Sequence, residues 1–483
     1  MITYHHTTKM ETSLSHQGYG IPKKHLTDVD LDRIRRELTV SPFVPRDYQM
    51  ANAESREFPL YLESSKKIYV PKHYGITAYG SPKELKLSMG KDIDVAFNGA
   101  LRDEQREPVA AFLEAAVDPA RMGGILNLPC AFGKTAIAIY TITQLHKKTL
   151  VIVHKEFLVD QWHERISAFA PTAKVGIIQG KRVEIEGKDI VIGLLQSLSM
   201  KEYPKETFEE FGFVIVDEIH RTGAEVFSRA LAKVNFRYAL GLSATLQRKD
   251  GLSKVFMWYI GGIVYRVGKR SDCVHVRSLT YDSDDMNYCR TETLCNGKLN
   301  MSKMINNICD HAPRTRFIAE TTRDILKEDP MRKVLILSDR RGHLESIAGN
   351  LQAAGISDWG FYYGGMKQDD LKRSEGRAVI LGTFQMSQEG LDIKGLDTLV
   401  LASPKSDIVQ ATGRILRDKA CDRKNIPLIV DVVDDFSVFA SQARKRSAYF
   451  KKCKYVFEGA KEDSSSEADG KQKSIDKYAF RKI

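Results

Sequence analysis

No stretch of the 483 residues carries the apolar run of about 20 residues that a membrane-spanning helix needs. The opening residues, MITYHHTTKMETSLSHQ, also lack the apolar centre of a secretion signal. The expectation is an intracellular protein, cytoplasmic or nuclear, with no membrane partner. Cysteine is scarce: the seven residues, at 130, 273, 289, 295, 309, 421 and 453, are odd in number and widely spread, which excludes a disulfide framework. Cys273, Cys289, Cys295 and Cys309, with His275 and His311 nearby, could be assembled into a zinc site, but no pair has close zinc-ligand spacing. Acidic residues fall short of basic ones, 62 against 73, leaving a formal charge of +11. That balance suits a polyanionic partner, although a merely soluble basic protein would show it too. A length of 483 residues and 42% hydrophobic content are enough for two or three domains with proper cores.

What the chain does have is concentrated first in LNLPCAFGKTAIAIY, Leu126 to Tyr140, where an apolar run meets a small turn and then a helical pattern from Lys134. It reads as a phosphate-binding loop. Pro129, Cys130, Ala131, Phe132 and Gly133 would form the turn, whose N–H groups and helix-dipole end can wrap a triphosphate. Lys134 would reach the outer phosphates and Thr135 a magnesium ion. Leu128 stands where the general pattern has its first glycine. Short Gly-Lys-Thr strings also occur by chance, so the company of this one matters. Val214-Ile215-Val216-Asp217-Glu218-Ile219-His220 is a β-branched strand ending in two carboxylates, one able to hold hydrated Mg²⁺ and the other to polarise water. The bland alternative is a surface acidic pair.

Residues 1–97 lack phosphate chemistry. Leu31, Ile34 and Leu38 have helical spacing, and Ile68-Tyr69-Val70 followed by Pro71 and Gly75 reads as strand and turn, so a small accessory domain is expected. Its Lys66, Lys67, Tyr69, Lys72 and Tyr74 are candidates for nucleic-acid contact or simply a solvated basic face. From residue 98 to 270 strand-like runs recur at Gly124 to Asn127, Leu150 to Val153, Ile190 to Leu194, Val214 to Val216 and Ala239 to Leu242, with helices between several of them. That alternation is the signature of a parallel sheet covered on both faces. Ahead of it, Gln105 stands just before a helix, where its paired donor and acceptor could read an adenine edge. Residues 271–312 are polar and uneven and read as a linker or insertion. A second alternating block extends to 457, with strands at Lys333 to Leu337, Ala378 to Leu381, Leu399 to Ala402 and Leu428 to Val433, and helices at Thr315 to Ile325 and Leu344 to Ala353. Residues 458–483 are charged and Ser-rich and read as a disordered tail.

The second block holds Gln410-Ala411-Thr412-Gly413-Arg414-Ile415-Leu416-Arg417. On a helix Gln410, Arg414 and Arg417 share one face, so two guanidinium groups could point together at a γ-phosphate as arginine fingers. An exposed basic helix is the alternative.

The ordered set LRDEQ, LPCAFGKT, LVIVHKEFLVDQW, DEIH, GLSAT, GTFQMSQEGLD and QATGRILR resembles a superfamily 2 helicase of the DExH type, over about residues 99–450. LPC before the Gly-Lys, QW after the second strand and LQRKDG after SAT are similar to the XPB and UvsW branch, and especially to the helicases of large nucleocytoplasmic DNA viruses, including the poxvirus-type transcript-release relatives. The resemblance implies an α/β fold of two tandem RecA-like parallel-sheet lobes, ATP and Mg²⁺ as cofactors, and ATP hydrolysis coupled to movement along a DNA strand, 3′ to 5′. Gln105 would contact adenine, Lys134 and Thr135 the phosphates and metal, Asp217 the metal and Glu218 the attacking water. Ser243, Ala244 and Thr245 would couple hydrolysis to movement. Glu389, Gly390 and Asp392 would line the cleft from the second lobe, where Gln410, Arg414 and Arg417 complete the site. Gln196, Ser197 and Thr383 would touch the strand backbone without reading sequence.

Two departures stand out: the loop is less glycine-rich than usual, and Lys249 changes the charge of XPB's Arg-Glu-Asp element. The partner is nucleic acid, DNA or alternatively RNA, and transcription or repair proteins are further candidates. An RNA helicase or transcript-release factor would share every motif. A non-hydrolysing scaffold would not need Glu218, Arg414 and Arg417, and a P-loop kinase or GTPase would not need the arginine helix.

Overall fold

The computed structural model describes residues 11–42, 57–129, 132–244, 251–267, 273–389, 393–416 and 423–458. The chain divides into two compact units, Met1–Gly268 and Lys269–Ile483. No helix among the described residues is long and apolar enough to cross a membrane.

The first unit begins with β1 (Ser13–Ser15), β2 (Gly18–Pro22), α1 (Asp28–Leu38), β3 (Thr39–Val40), β4 (Phe58–Pro59), β5 (Leu62–Glu63), β6 (Lys67–Val70), α2 (Lys72–Tyr79) and β7 (Glu84–Leu85). Thr27 and Asp30 close a reciprocal capping box at the head of α1, and the i, i+3, i+7 spacing of Leu31, Ile34 and Leu38 turns all three inward. They share one apolar cluster with Leu14, Tyr19, Ile21, Ile68 and Val70 of a five-stranded sheet, β5-β6-β2-β1-β7. The turn expected after Pro71 is instead α2. Proline at a helix entrance gives up only an N–H that has no intrahelical partner, which is why a strand-ending proline can also open a helix. Lys72 is buried with its ammonium on the Arg237 carbonyl at 3.0 Å, and Tyr74 packs edge-on to Trp258 and donates to Glu37. Those two residues join the small sheet to the larger part of the same unit, and the apolar cores of the two regions are continuous.

The larger part of the first unit comprises α3 (Asp103–Val117), β8 (Gly123–Asn127), α4 (Lys134–Leu145), β9 (Thr149–Val153), α5 (Glu156–Phe169), β10 (Val175–Gln179), β11 (Arg182–Val183), β12 (Ile190–Leu194), α6 (Leu195–Met200), β13 (Phe213–Val216), α7 (Ala224–Leu231), β14 (Tyr238–Ser243), α8 (Ser253–Ile260) and β15 (Ile263–Arg266). Its sheet runs β11-β10-β12-β9-β13-β14-β8-β15, parallel throughout except for β11 at the edge. The central strands β9, β12 and β13 are buried at every residue, as parallel strands covered on both faces must be. The five strands expected here are all present, with ends moved by no more than a residue.

The second unit comprises β16 (His275–Tyr281), α9 (Met301–Asp310), α10 (Ala312–Glu328), β17 (Val334–Ser338), α11 (Arg341–Ala353), β18 (Trp359–Tyr362), α12 (Gln368–Glu375), β19 (Val379–Thr383), α13 (Phe384–Glu389), β20 (Thr398–Leu401), α14 (Val409–Thr412), β21 (Leu428–Asp434), α15 (Ser437–Lys452) and β22 (Val456–Phe457). Its sheet, β18-β19-β17-β20-β21-β16-β22, is parallel throughout. The fold class is therefore α/β with two parallel-sheet lobes.

Residues 275–281, assigned from sequence to a linker, instead form β16, which pairs with β21 in unbroken register from His275↔Leu428 to Tyr281↔Asp434. Only Val276 in β16 is fully buried, so the strand never shows the apolar run that identifies its neighbours.

Candidate nucleotide-binding and hydrolysis site

Three adjacent strands, β13, β14 and β8, bring the motif-bearing loops together at their C-terminal ends. The chain passes from β8 through α4 to β9, beyond both β14 and β13; from β9 it leads out toward β10 on one side, whereas from its neighbour β13 it leads out to β14 on the other. Such a switch point leaves a crevice beyond the strand ends. Ser243 closing β14 is in register with Asn127 closing β8, and its carbonyl accepts from Leu128 N at 2.9 Å and from Asn127 Nδ2 at 3.1 Å. The loop after β8 is thus tied to the strand beside it. Leu128, at the place of the first glycine, is fully buried and serves the core.

Gly133 caps α4 with φ +84° and ψ 38°, a left-handed conformation that glycine takes without penalty. Beside it the Phe132 carbonyl accepts from Gln105 Nε2 at 2.8 Å and from an Arg102 guanidinium nitrogen at 2.5 Å. Gln105 Oε1 in turn accepts from Arg102 N at 2.9 Å. Both ends of the Gln105 amide, assigned from sequence to adenine, are engaged in shaping this loop. Pro129 is half-buried, and Cys130 and Ala131 lie outside the described residues.

Across the crevice, Lys134 Nζ meets Glu218 Oε1 at 2.8 Å. Glu218 holds φ 45° and ψ 51°, an uncommon left-handed setting for a residue with a side chain, and such strain gathers at functional sites. Asp217 is buried at 8% exposure and accepts from Trp162 Nε1 at 2.9 Å through Oδ2 and from Glu218 N at 2.9 Å through Oδ1. Burial, then the neighbouring Glu218 charge, push the Asp217 carboxyl up to about 6, against the opposing pull of Lys134. Each oxygen of Asp217 carries a further lone pair beyond the hydrogen bond it accepts. An all-oxygen donor set of this carboxylate with the half-buried Thr135 hydroxyl suits a hard cation such as Mg²⁺. His220 Nδ1 lies 2.9 Å from Ser243 Oγ and 3.3 Å from Glu218 Oε2, so it bridges the acid to the end of β14. Ala244 comes next in the chain and is half-buried, while Thr245 and Lys249 lie outside the described residues.

Elsewhere in this unit Gln196 is exposed near the head of α6. Its neighbour Ser197 is buried, with its hydroxyl accepting from Gly180 N at 2.9 Å. In the second unit Thr383 ends β19, its hydroxyl accepting from Met386 N at 3.5 Å, and Glu389 ends α13. Gly390, Asp392 and Arg417 lie outside the described residues. The long helix expected over 410–417 is shorter: α14 stops at Thr412, and hydrogen-bonded turns continue to Leu416. The Gly413 N–H still reaches back four residues to Val409, whereas the Arg414 N–H reaches back only three, to Ala411, as in a tighter 3₁₀-type turn. Gln410 is buried, Arg414 half-buried, and Thr412 shares a 3.0 Å hydroxyl contact with Tyr449 of α15.

Trp162, Arg102 and His220 had no role assigned from sequence. All three stand inside quoted motifs, QW, LRDEQ and DEIH, and that was the available signal.

The family profile described as type III restriction enzyme, res subunit, matches residues 98–248. A provisionally named ATP-dependent RNA helicase of Acanthamoeba polyphaga mimivirus is 35% identical, covering 92% of this chain and 86% of its own. A helicase of Invertebrate iridescent virus 6, also provisionally named, is 27% identical over 74% of this chain and 83% of its own. The solved structure of T4 UvsW is similar with a TM-score of 0.40 and 17% identity, over 93% of this chain and 99% of that one.

Proposed function

Since this chain belongs to the superfamily 2 DExH helicases and is an ATP hydrolase of that family, we propose that it couples ATP hydrolysis to movement along one DNA strand, 3′ to 5′, in repair, replication or transcription. The observation that carries the reading is the meeting of Lys134 with Glu218, with Asp217 alongside, at the ends of three adjacent parallel strands.

In this scheme the loop from Pro129 to Gly133, through the N–H groups that follow the proline, and the head of α4 take the phosphates, and Lys134 neutralises the outer ones. Thr135 and Asp217 would hold Mg²⁺, which supplies charge neutralisation at the β- and γ-phosphates. Glu218 orients the attacking water and accepts its proton. Ser243, Ala244 and Thr245 pass the change at the γ-phosphate to the strand-binding surface, with His220 linking Glu218 to Ser243. Gly390 and Asp392 contribute to the nucleotide site from the second unit, and Gln410, Arg414 and Arg417 meet the charge that develops in the transition state. Gln196, Ser197 and Thr383 serve the backbone of the strand.

RNA is the second reading, favoured by the name of the mimivirus relative. Measuring ATPase with single-stranded DNA, duplex, fork and RNA side by side separates the two. Stimulation by DNA strands supports the proposal, stimulation by RNA alone favours the alternative, and no stimulation by any of them refutes both.

A further inference from the structure

Asp217 sits on the loop directly after β13, a place where a carboxylate would ordinarily keep some freedom of rotation. Here each of its oxygens is held by a separate donor: Oδ1 by the N–H of Glu218 and Oδ2 by the indole of Trp162, both at 2.9 Å. The two donors differ in kind. The first is the next peptide unit and moves with the loop. The second comes from α5, 55 residues earlier in the chain, and is 2% exposed. Leu158, Val159 and Ile166 of the same helix are buried in the apolar cluster that includes the sheet strands, so the indole is carried on a packed element separate from the loop.

Resting on the reading of Asp217 as the cation-holding carboxylate, we propose that Trp162 is a positioning residue that fixes the orientation of that carboxylate. An indole N–H can only donate. It therefore selects one rotation of the carboxylate and leaves the remaining lone pairs of both oxygens for a cation. No other side chain reaches both the length and the burial of tryptophan while offering a single donor and no acceptor, which would otherwise compete for the cation. Outer partners that orient a ligand in this way typically account for about 10- to 100-fold in metal affinity. Phenylalanine at this position would keep much of the packing and lose the donor.

The test is calorimetric titration of ADP, in EDTA and at fixed Mg²⁺, for wild type, Trp162→Phe, Asp217→Asn and the double variant, so that no turnover enters the readout. Trp162→Phe is expected to cut the gain in ADP affinity that Mg²⁺ confers by about tenfold, leaving the affinity in EDTA unchanged. In the Asp217→Asn background the same substitution is expected to cost nothing further, since the carboxylate it orients is gone. A Trp162→Phe protein that keeps its Mg²⁺ gain, or that loses affinity equally in EDTA, overturns the proposal and leaves Trp162 a packing residue. An Asp217→Asn protein with an intact Mg²⁺ gain overturns the reading of Asp217 itself, and the proposal with it.

A second measurement does not depend on the Trp162 variant folding. The chain has three tryptophans, and Trp258→Phe and Trp359→Phe assign the remaining indole ¹⁵N–H resonance to Trp162. That resonance is expected to move on Asp217→Asn and again when Mg²⁺–ADP is added to wild type. If it moves in neither case, the indole does not hold the carboxylate.

Discussion

Gly133→Ala puts a Cβ where the nucleotide loop has least room for one. The residue holds φ +84°, and a left-handed backbone costs a residue with a side chain about 1–2 kcal/mol. The new Cβ would stand 2.3 Å from Gln105 Nε2 and 3.2 Å from an Arg102 guanidinium nitrogen. The Gln105 amide must therefore swing away, abandoning its 2.8 Å bond to the Phe132 carbonyl and the 2.9 Å bond it accepts from Arg102 N. Gln105 is only 4% exposed, so water does not replace those partners, and each lost bond costs about 1 kcal/mol. The sum is about 3–4 kcal/mol, concentrated in the segment that must grip the phosphates. At about 1.4 kcal/mol per tenfold that corresponds to a loss of roughly 100- to 1,000-fold in ATP affinity. Titration of a fluorescent ATP analogue against wild type, Gly133→Ala, Gln105→Ala and the double variant checks it. Once the Gln105 side chain is gone the 2.3 Å collision vanishes and the 3.2 Å approach to Arg102 remains, so Gly133→Ala should then cost only about tenfold more, mostly from the backbone. Near-normal binding by Gly133→Ala, or strictly additive losses in the double variant, would refute the claim that Gln105 shapes this loop.

Glu218→Gln is expected to keep nucleotide binding while lowering stimulated ATPase at least about a hundredfold, because an amide can hold water but cannot accept its proton. A variant retaining more than half of wild-type activity would remove Glu218 from that role. The Asp217 carboxyl, raised from an ordinary 3.8 to about 6, should make the Mg²⁺ requirement of the ATPase rise roughly tenfold per pH unit below that value and stay level above it. The same shift means that the folded chain holds this proton more tightly than the unfolded one. Its cost to stability therefore appears as pH rises between those two values and is absent below them. A Mg²⁺ requirement that stays constant through pH 6 contradicts the assignment. In the second unit, fully buried Arg314 binds Asp434 through two bonds of 2.7 and 2.9 Å and the Ala402 carbonyl at 2.6 Å. Arg314→Met leaves Asp434 buried with, among the described residues, Tyr288 as its remaining side-chain partner, and should cost about 3–5 kcal/mol in urea unfolding of this unit. A loss below about 1 kcal/mol would show that the pair is not what ties α10 to β21.

The parallel sheets could be read from the chain because a strand buried on both faces has no polar alternation to blur it: TLVIV, IVIGL and FVIV are almost wholly apolar. The phosphate loop and the acidic pair were legible for a related reason. Their chemistry needs particular residue types a few positions apart, and such local spacing survives in a linear text. Strand β16 was not legible, because His275, Arg277, Ser278 and Thr280 keep it mixed in polarity although it pairs along its whole length. Nor was α2, since Pro71 can end a strand as readily as it opens a helix.

The sequence by itself settled which groups of atoms are present for the chemistry: an ammonium at Lys134, a hydroxyl at Thr135 and carboxylates at Asp217 and Glu218. What each of those groups touches was decided only by the tertiary structure. The Gln105 amide is engaged by a carbonyl 27 residues away, and the Asp217 carboxylate by an indole 55 residues away. The Ser197 hydroxyl is taken up by the N–H of Gly180. Hydrogen bonds of this kind have no periodicity, because their partners lie on different elements and the order of strands in the sheet sets the distance between them. The residues of the site were thus written locally, while their orientation comes from how β13, β14 and β8 lie side by side.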